Sequence, residues 1–302
     1  YAPKGQRTLV DFLQKKGFAL DEIRDAGMTN RFGGDIFRDR MVIALQDISG
    51  APVGFTGRLL AESDNAPKYL NTPQTLLYDK SNNVFGLSQA KNEIRKAGFA
   101  VVVEGNMDVI SSHQAGIKNV VATAGTAITA RHLKTIARFS NDIRLCFDAD
   151  AAGVNATERA IKLAQEVGVE LSIIALNQTS NDAKDPDELI QIDPNLWRES
   201  ISRPKPAVEW VFDQYEKRLD ISTASGKRQF SNIALMLVKN LSDPVEKEFY
   251  LDEIARRIKT SREALLAKFS SDKQPAKLKH IKAEKTEVVK DDFVYEDDLL
   301  AL

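Results

Sequence analysis

Apolar and polar positions follow three successive rhythms along the chain. Over 8–26, Leu9, Val10, Phe12, Leu13 and Phe18 recur at helical spacing and predict one amphipathic helix, ended by Gly27. Over 31–60 the runs shorten. Met41-Val42-Ile43-Ala44-Leu45 and Pro52-Val53-Gly54-Phe55 flank the turn chemistry of Asp47-Ile48-Ser49-Gly50 and predict a β-rich unit. From 99 the rhythm becomes strand–helix alternation. It predicts strands over 99–104, 118–122, 143–147 and 169–176, and helices over 107–115, 129–139 and 151–167. Gly116 closes the first helix, Thr129 caps the second, and Val154, Ile161, Ala164 and Val167 mark the inner face of the third. Continuous apolar strands between amphipathic helices predict a parallel sheet buried on both faces.

Beyond 190 helices dominate. Asp243-Pro244-Val245-Glu246 sets a cap, an N1 proline and an N3 glutamate in order, and Thr260-Ser261-Arg262-Glu263 repeats the arrangement, giving a helical module over about 205–270. From Ser271 apolar residues thin out; 273–285 is basic and 287–298 acidic, which predicts a disordered tail. Within it, Asp291-Asp292-Phe293-Val294-Tyr295-Glu296 reads either as plain solvated chain or as a docking peptide. The expected division is 1–98, 99–190, 191–270 and the tail 271–302. The expected class is mixed (α+β in front, α/β in the centre), with a helical carboxyl-terminal module.

Composition narrows the classes little. The 302 residues are 43% hydrophobic and 28% charged, ordinary for a globular protein large enough for several modules. No run reaches membrane-span length and no signal-peptide pattern opens the chain, so no membrane partner is expected. A first residue Tyr1 rather than Met suggests a fragment of a longer chain. Cys146 is the single cysteine, which excludes an internal disulfide and a cysteine-based zinc site; a cytoplasmic setting fits. Net charge is −1, without the basic excess common in nucleic-acid binders, although the first hundred residues are mildly basic. Arg31, Arg38, Arg40, Arg58, Lys68 and Lys80 punctuate that region; each taken alone reads as solvated surface.

The chemistry gathers at strand ends. Glu104-Gly105 closes one strand, Asp148-Ala149-Asp150 the next but one, and Asp185-Pro186-Asp187-Glu188 follows the last. Loops at the carboxyl ends of parallel strands converge on one edge, where ligands bind. Two carboxylates about 4 Å apart repel by about 4 kcal/mol at an effective dielectric near 20, so a cluster calls for a cation. Oxygen donors without His or Cys select Mg²⁺ or Mn²⁺. Each motif has a plainer reading: Asp150 as a helix N-cap, Asp185-Pro186 as a helix opening, Asp108 as a first-turn residue that orients rather than binds. Gly105, lacking Cβ, allows a ligand or another backbone to approach Glu104. There is no internal repeat, no Walker-type glycine loop, and no serine or histidine in a hydrolase motif; His113 and His132 fall on helices and His280 in the tail.

Val102-Val103-Glu104-Gly105-Asn106-Met107-Asp108 together with Cys146-Phe147-Asp148-Ala149-Asp150-Ala151-Ala152-Gly153 resembles the Toprim domain, a Rossmann-like parallel sheet. More closely, the chain resembles the RNA polymerase domain of bacterial DnaG-type primases. Gly33–Arg58 is similar to that family's front subdomain, Pro67-Lys68-Tyr69-Leu70-Asn71-Thr72-Pro73 to its lysine-tyrosine-leucine-asparagine signature, and His113–Ile117 with Val120–Ala127 to segments between its acidic motifs. Asn106 stands where the family usually has tyrosine, Ala149 where it has glycine, and Met41–Leu45 lacks its phenylalanine-proline pair. The family's zinc-binding module and a full helicase-binding domain are missing, so no zinc is expected.

The resemblance implies a primase that copies a single-stranded DNA template into short RNA from ribonucleoside triphosphates. Glu104, Asp148 and Asp150 would hold catalytic Mg²⁺ (or Mn²⁺), with Asp185 and Asp187 as further acidic ligands and Asp108 nearby. Arg58, Lys68, Tyr69, Asn71 and Lys80 would contact template, nucleotide or triphosphate. A replicative helicase is the implied partner, through regions missing or reduced here, and a monomer is expected. Two other readings stay open: a Toprim nuclease or topoisomerase, and a non-catalytic replication adaptor. Tyr215 and Tyr250 sit at ordinary core spacing, which counts against a topoisomerase nucleophile.

Overall fold

The computed structural model describes residues 1–61, 66–147, 151–176 and 183–270. The expected tail therefore lies outside the described residues, as do Asp148 and Asp150. In chain order the front carries α1 (Thr8–Lys15), α2 (Leu20–Asp25), β1 (Arg40–Gln46), β2 (Pro52–Leu59), β3 (Tyr69–Asn71) and α3 (Leu87–Ala97). The centre continues with β4 (Phe99–Val103), α4 (Asn106–Gln114), β5 (Val120–Ala122), α5 (Ala130–Ala137), β6 (Asp142–Cys146), α6 (Ala151–Val167) and β7 (Glu170–Ile173). Then come α7 (Pro186–Ile192), α8 (Pro194–Ser202), β8 (Lys205–Pro206), α9 (Ala207–Arg218), α10 (Ala224–Lys239), α11 (Pro244–Ile258) and α12 (Arg262–Ser270).

The class is the expected mixture. β1, β2 and β3 form an antiparallel sheet in that order, and a second sheet runs β5-β4-β6-β7-β8. Its first four strands are parallel and β8 is an antiparallel edge. The strands are held from both sides. Val101 and Val103 face one apolar cluster with Val109, Leu189 and Trp197; Ala100 and Val102 face another that takes in α6 and the inner faces of α9, α10 and α11. All four β4 residues from Ala100 to Val103 are fully buried. At about 1.5–3 kcal/mol for each larger side chain buried, that run is held by its apolar surface rather than by strand propensity.

Several local expectations meet their physical cause. Asp47 makes the turn between β1 and β2 by accepting from the backbone N–H groups of Ser49, Gly50 and Ala51. Thr129 caps α5, its Oγ1 accepting from the His132 N–H at 3.1 Å, and Asp243 caps α11 by accepting from the Glu246 N–H at 2.8 Å. Others need correcting. The single helix over 8–26 is two, because Gly17 takes φ +96° and breaks the chain between α1 and α2. The last cap is one residue later: Ser261, not Thr260, accepts from the Ala264 N–H, and α12 opens at Arg262. The strand expected over 169–176 pairs only over Glu170–Ile173. No helix among the described residues is long and apolar enough to cross a membrane.

Arg40 corrects the reading of a solvated surface. It is 4% exposed, and its guanidinium donates to the carbonyls of Gly57 (3.0 Å), Lys68 (3.2 Å) and Pro67 (2.8 Å). Burial pulls its pKa down. The segment entering β3 is thereby fastened to β1 and β2 by one side chain. Hydrogen bonds to a charged donor contribute about 1.5–3 kcal/mol each, and a lone buried carbonyl is costly. Arg40→Met keeps the apolar stem, so it isolates that contribution. It should lower unfolding free energy by about 2–4 kcal/mol in urea melts and raise hydrogen exchange at Leu59, whose N–H bonds the Lys68 carbonyl.

Candidate active site

The register of the parallel sheet aligns the strand ends. Val103 pairs with Ala122 on one side and Cys146 on the other, so Glu104, Thr123 and Phe147 each take the first step off the same edge. Glu104 is exposed there. Asp108 stands in the first turn of α4, 7% exposed, with Oδ2 accepting from the Gly105 N–H at 3.0 Å. Its Oδ1 accepts from the Asp187 N–H at 3.2 Å, joining α4 to the start of α7. One turn on, the Ser111 hydroxyl donates to the Asp187 carboxylate. Asp185 caps α7 by accepting from the Glu188 N–H at 2.8 Å, while Glu188 accepts from the Lys184 N–H at 2.8 Å. The helix-opening and first-turn readings of these acids thus describe their backbone roles.

What approaches Gly105 is not a foreign group but Asp108: a Cβ at position 105 would lie 2.8 Å from Asp108 Oδ2. Glycine there is required by the carboxylate it receives. Burial, with the charge of Asp185 close by, pushes the Asp108 carboxyl up to about 7 despite its two N–H donors. The edge therefore carries more negative charge than the protein offsets. Among the described residues no three of His, Cys, Asp or Glu converge closely enough to hold a metal ion. The residues nonetheless fit a hard divalent cation. The donors are all carboxylate oxygens, Asp108 is held back from ionising, and the carboxamide oxygen of Asn106, 6% exposed and next but one to Glu104, has no hydrogen-bond partner.

The front sheet faces this edge. Arg58 and Tyr69 are direct partners across β2 and β3, and the Arg58 guanidinium hydrogen-bonds the Tyr69 hydroxyl. Burial raises the Tyr69 pKa, Arg58 opposes it, and the charges of Asp108 and Asp187 lie near enough to raise it further. Asn71 Nδ2 donates to the Ala124 carbonyl at 3.2 Å, in the loop after β5. Ala124 has φ +56°, a left-handed conformation that costs an alanine free energy. A bridge between Phe85 and Ala122 covers the edge of β5. Lys68 and Lys80 are both exposed. The Lys68 carbonyl is held by Arg40, and the Lys80 carbonyl by buried His132 at 3.1 Å.

Comparison with known proteins follows the same division. The family described as "DNA primase catalytic core, N-terminal domain" matches residues 1–91, "Toprim-like" matches 101–190, and "DnaB-helicase binding domain of primase" matches 208–263. A DNA primase domain from Pseudomonas aeruginosa is 30% identical, with TM-score 0.73 over 88% of this chain and 84% of that one. The chain belongs to the DnaG-type DNA primase family. A DnaG primase catalytic domain bound to single-stranded DNA is 28% identical, with TM-score 0.74 over 87% and 84% of the two chains. The Clostridium acetobutylicum DNA primase is 34% identical over 91% of this chain and 45% of that protein, so the chain spans under half the length of this curated relative. Where the sequence suggested that a helicase-binding region was missing, the primase family assigns that description to 208–263, from α9 to α11 and just beyond.

Sequence reasoning assembled Glu104, Asp108, Asp185, Asp187, Arg58, Tyr69 and Asn71 from separate motifs, and the fold brings them to one edge. It missed Ser111, although three residues after Asp108 is the next position on that helical face. It missed Arg40 because the burial of an arginine leaves no mark in a short strand.

A raised carboxyl pKa has a definite sign. Between pH 4 and pH 7 the unfolded chain has released the Asp108 proton while the folded chain keeps it. Stability contributed by this group therefore falls as pH rises through that window and levels off above about 7. In metal-free protein the Asp108 carboxyl carbon should titrate by NMR near 7, and Asp185→Asn should move its midpoint down. A midpoint near 4 in the unaltered chain would show that the carboxyl is not held back.

Proposed function

We propose that this chain is the RNA-polymerising core of a DNA primase, synthesising short RNA primers on single-stranded DNA from ribonucleoside triphosphates. The observation that carries the reading is the proximity of Tyr69 and Arg58 on the front sheet to Asp108 and Asp187 at the parallel-sheet edge. A phosphoryl-transfer site needs cationic and hydrogen-bonding groups for phosphates opposite oxygen donors for metal, and Arg58 with Tyr69 beside Asp108 and Asp187 supports that reading. The match to a primase core crystallised with single-stranded DNA supports the template assignment. In this reading 1–98 binds template and nucleotide, 99–190 carries the chemistry, 191–270 is the helical subdomain and 271–302 a tail.

Glu104, Asp148 and Asp150 would hold Mg²⁺ or Mn²⁺, with Asp185 and Asp187 as further acidic ligands. When bound, the metal supplies Lewis-acid activation of the attacking 3′-hydroxyl and neutralises charge on the pyrophosphate leaving group. Asp108 positions the edge through its bonds to the Gly105 and Asp187 N–H groups, and Ser111 orients the Asp187 carboxylate. Arg58, Lys68 and Lys80 would bind phosphates, Tyr69 would orient the nucleotide through its hydroxyl, and Asn71 would hold the loop at Ala124. A replicative helicase is the proposed partner through 208–263, and the chain acts as a monomer. The nuclease or topoisomerase reading is weaker. The Tyr215 hydroxyl donates to Glu158 at 2.7 Å and Tyr250 is 5% exposed, so neither is a presented nucleophile. The adaptor reading gives no account of the protonated Asp108.

Primer synthesis on single-stranded DNA should fall about 100-fold or more in Glu104→Gln and in Asp148→Asn; full activity in either would overturn the assignment. Labelled DNA without nucleotides should remain intact, whereas cleavage would favour the nuclease. Ser111→Ala should weaken Mn²⁺ binding by calorimetry about tenfold with the fold unchanged, the usual range for removing a partner behind a ligand. Equal Mn²⁺ affinity would leave Ser111 only the role of joining α4 to α7.

A further inference from the structure

At the opposite, amino-terminal ends of β6 and β7, far along the strands from Glu104, a cleft of about 510 Å³ opens between the sheet, the end of α6 and the start of α11. That volume is in the range of small-molecule sites. Its walls are apolar, among them Ile161, Val169 and Val208, but its polar groups are one-sided. Asp142, Glu170 and Glu246 line it, and no lysine or arginine does. Asp142 is paired with Arg144 at 2.8 Å, whereas Glu170 and Glu246 have no ion-pair partner among the described residues. Burial, with Asp243 and Glu170 close by, raises the Glu246 pKa, the mark of a carboxylate short of positive charge.

One hydroxyl in the same cleft is enclosed and unsatisfied, and a second stands beside it without a protein partner among the described residues. Ser172 Oγ is enclosed without a hydrogen-bond partner. Tyr250 is 5% exposed, its ring fixed edge-on against Phe212 at 5.9 Å, and its hydroxyl has no hydrogen-bond partner among the described residues. The nearby charges of Glu209, Glu246 and Glu253 add to burial in keeping that hydroxyl protonated. Buried hydroxyls are nearly always satisfied in native proteins, so the enclosed Ser172 Oγ beside two unpaired carboxylates, with the Tyr250 hydroxyl next to it, marks a place for a ligand's donors.

We propose that this cleft binds a small aliphatic ammonium or guanidinium compound. The cationic head would donate to Glu170 and Glu246, with Ser172 and Tyr250 completing its hydrogen bonds and the stem lying on the apolar wall. The chemistry excludes phosphates and other anions, so the site is separate from the nucleotide-binding edge.

The test titrates agmatine, and in parallel n-butylammonium and its neutral counterpart 1-butanol, into the full chain by NMR. Both cations should shift the Tyr250 ring signals saturably, and butanol should not. Glu246→Gln should weaken agmatine binding about tenfold, as expected for losing one charge-assisted bond. Tyr250→Phe, which keeps the ring packing, should weaken it about threefold or more. Melting curves of the two variants report whether the fold is kept. Absence of a saturable Tyr250 shift, equal affinity in Glu246→Gln with the fold intact, or equal binding of butanol would each overturn the proposal. Equal affinity in Glu246→Gln would assign any agmatine effect to diffuse attraction by acidic surface elsewhere, and equal binding of butanol would assign it to the apolar wall alone.

Discussion

The Asp108 carboxylate is the joint on which the carboxyl edge of the parallel sheet depends. It closes the first turn of α4 through the Gly105 N–H and pulls in the start of α7 through the Asp187 N–H. A buried carboxylate with two backbone donors normally ionises far below neutral pH. Here burial and the neighbouring Asp185 outweigh those donors. The fold thus spends stability to keep acids together at one edge. Gly105 belongs to the same constraint, since a side chain there would collide with Asp108 Oδ2.

The front sheet meets the central sheet across an apolar cluster in which Leu45, Tyr78 and Phe85 pack with Val101, Val103 and Val120, and directed bonds to backbone carbonyls add to it. Arg40 ties the segment entering β3 to β1 and β2, and Asn71 reaches from β3 to the loop after β5. Directed bonds of this kind fix distance and angle, whereas apolar packing tolerates sliding. The left-handed Ala124 at the receiving end is strain held in place by its surroundings, Asn71 and the reciprocal hydroxyl–carbonyl bonds of Thr123 and Thr126 among them. Such bonds fix the spacing between β3 and the loop after β5.

How much of this could be read from residues alone follows from which forces are local. Strand–helix alternation from 99 onwards is a pattern of burial, and burial of a parallel sheet on both faces writes itself into the sequence as unbroken apolar runs. The caps at Thr129 and Asp243 are legible because their partners lie three residues away. Ser261 in place of Thr260 shows the limit, since two adjacent hydroxyl residues offer the same chemistry and only the backbone path selects one. The break at Gly17 was hidden by apolar residues continuing on both sides of it. Arg40, Asn71 and the meeting of Tyr69 with Asp108 depend on contacts between distant segments, and no local pattern encodes them.

The parallel sheet separates two electrostatic problems by its length. At its carboxyl edge the uncompensated acids face the basic front sheet, with Arg58 close to Tyr69 and the acids beyond it. At its amino edge a second set of carboxylates faces the helical module, where no basic side chain lines the cleft. Between them β4 contributes only buried apolar side chains, and its two faces belong to different clusters: Val101 and Val103 pack toward α4 and α7, Ala100 and Val102 toward α6 and the helical module. Because interiors are close-packed, a shift of α11 bears first on α10, α12 and the α9 side chains Phe212 and Asp213, then through α9 and α10 on α6 and the Ala100–Val102 face. It reaches Glu104 and Asp108 only by moving β4 itself. β4 is paired on both sides and buried from Ala100 to Val103. The helical module therefore touches the Glu104 and Asp108 edge only through the strands of the sheet and not by direct packing.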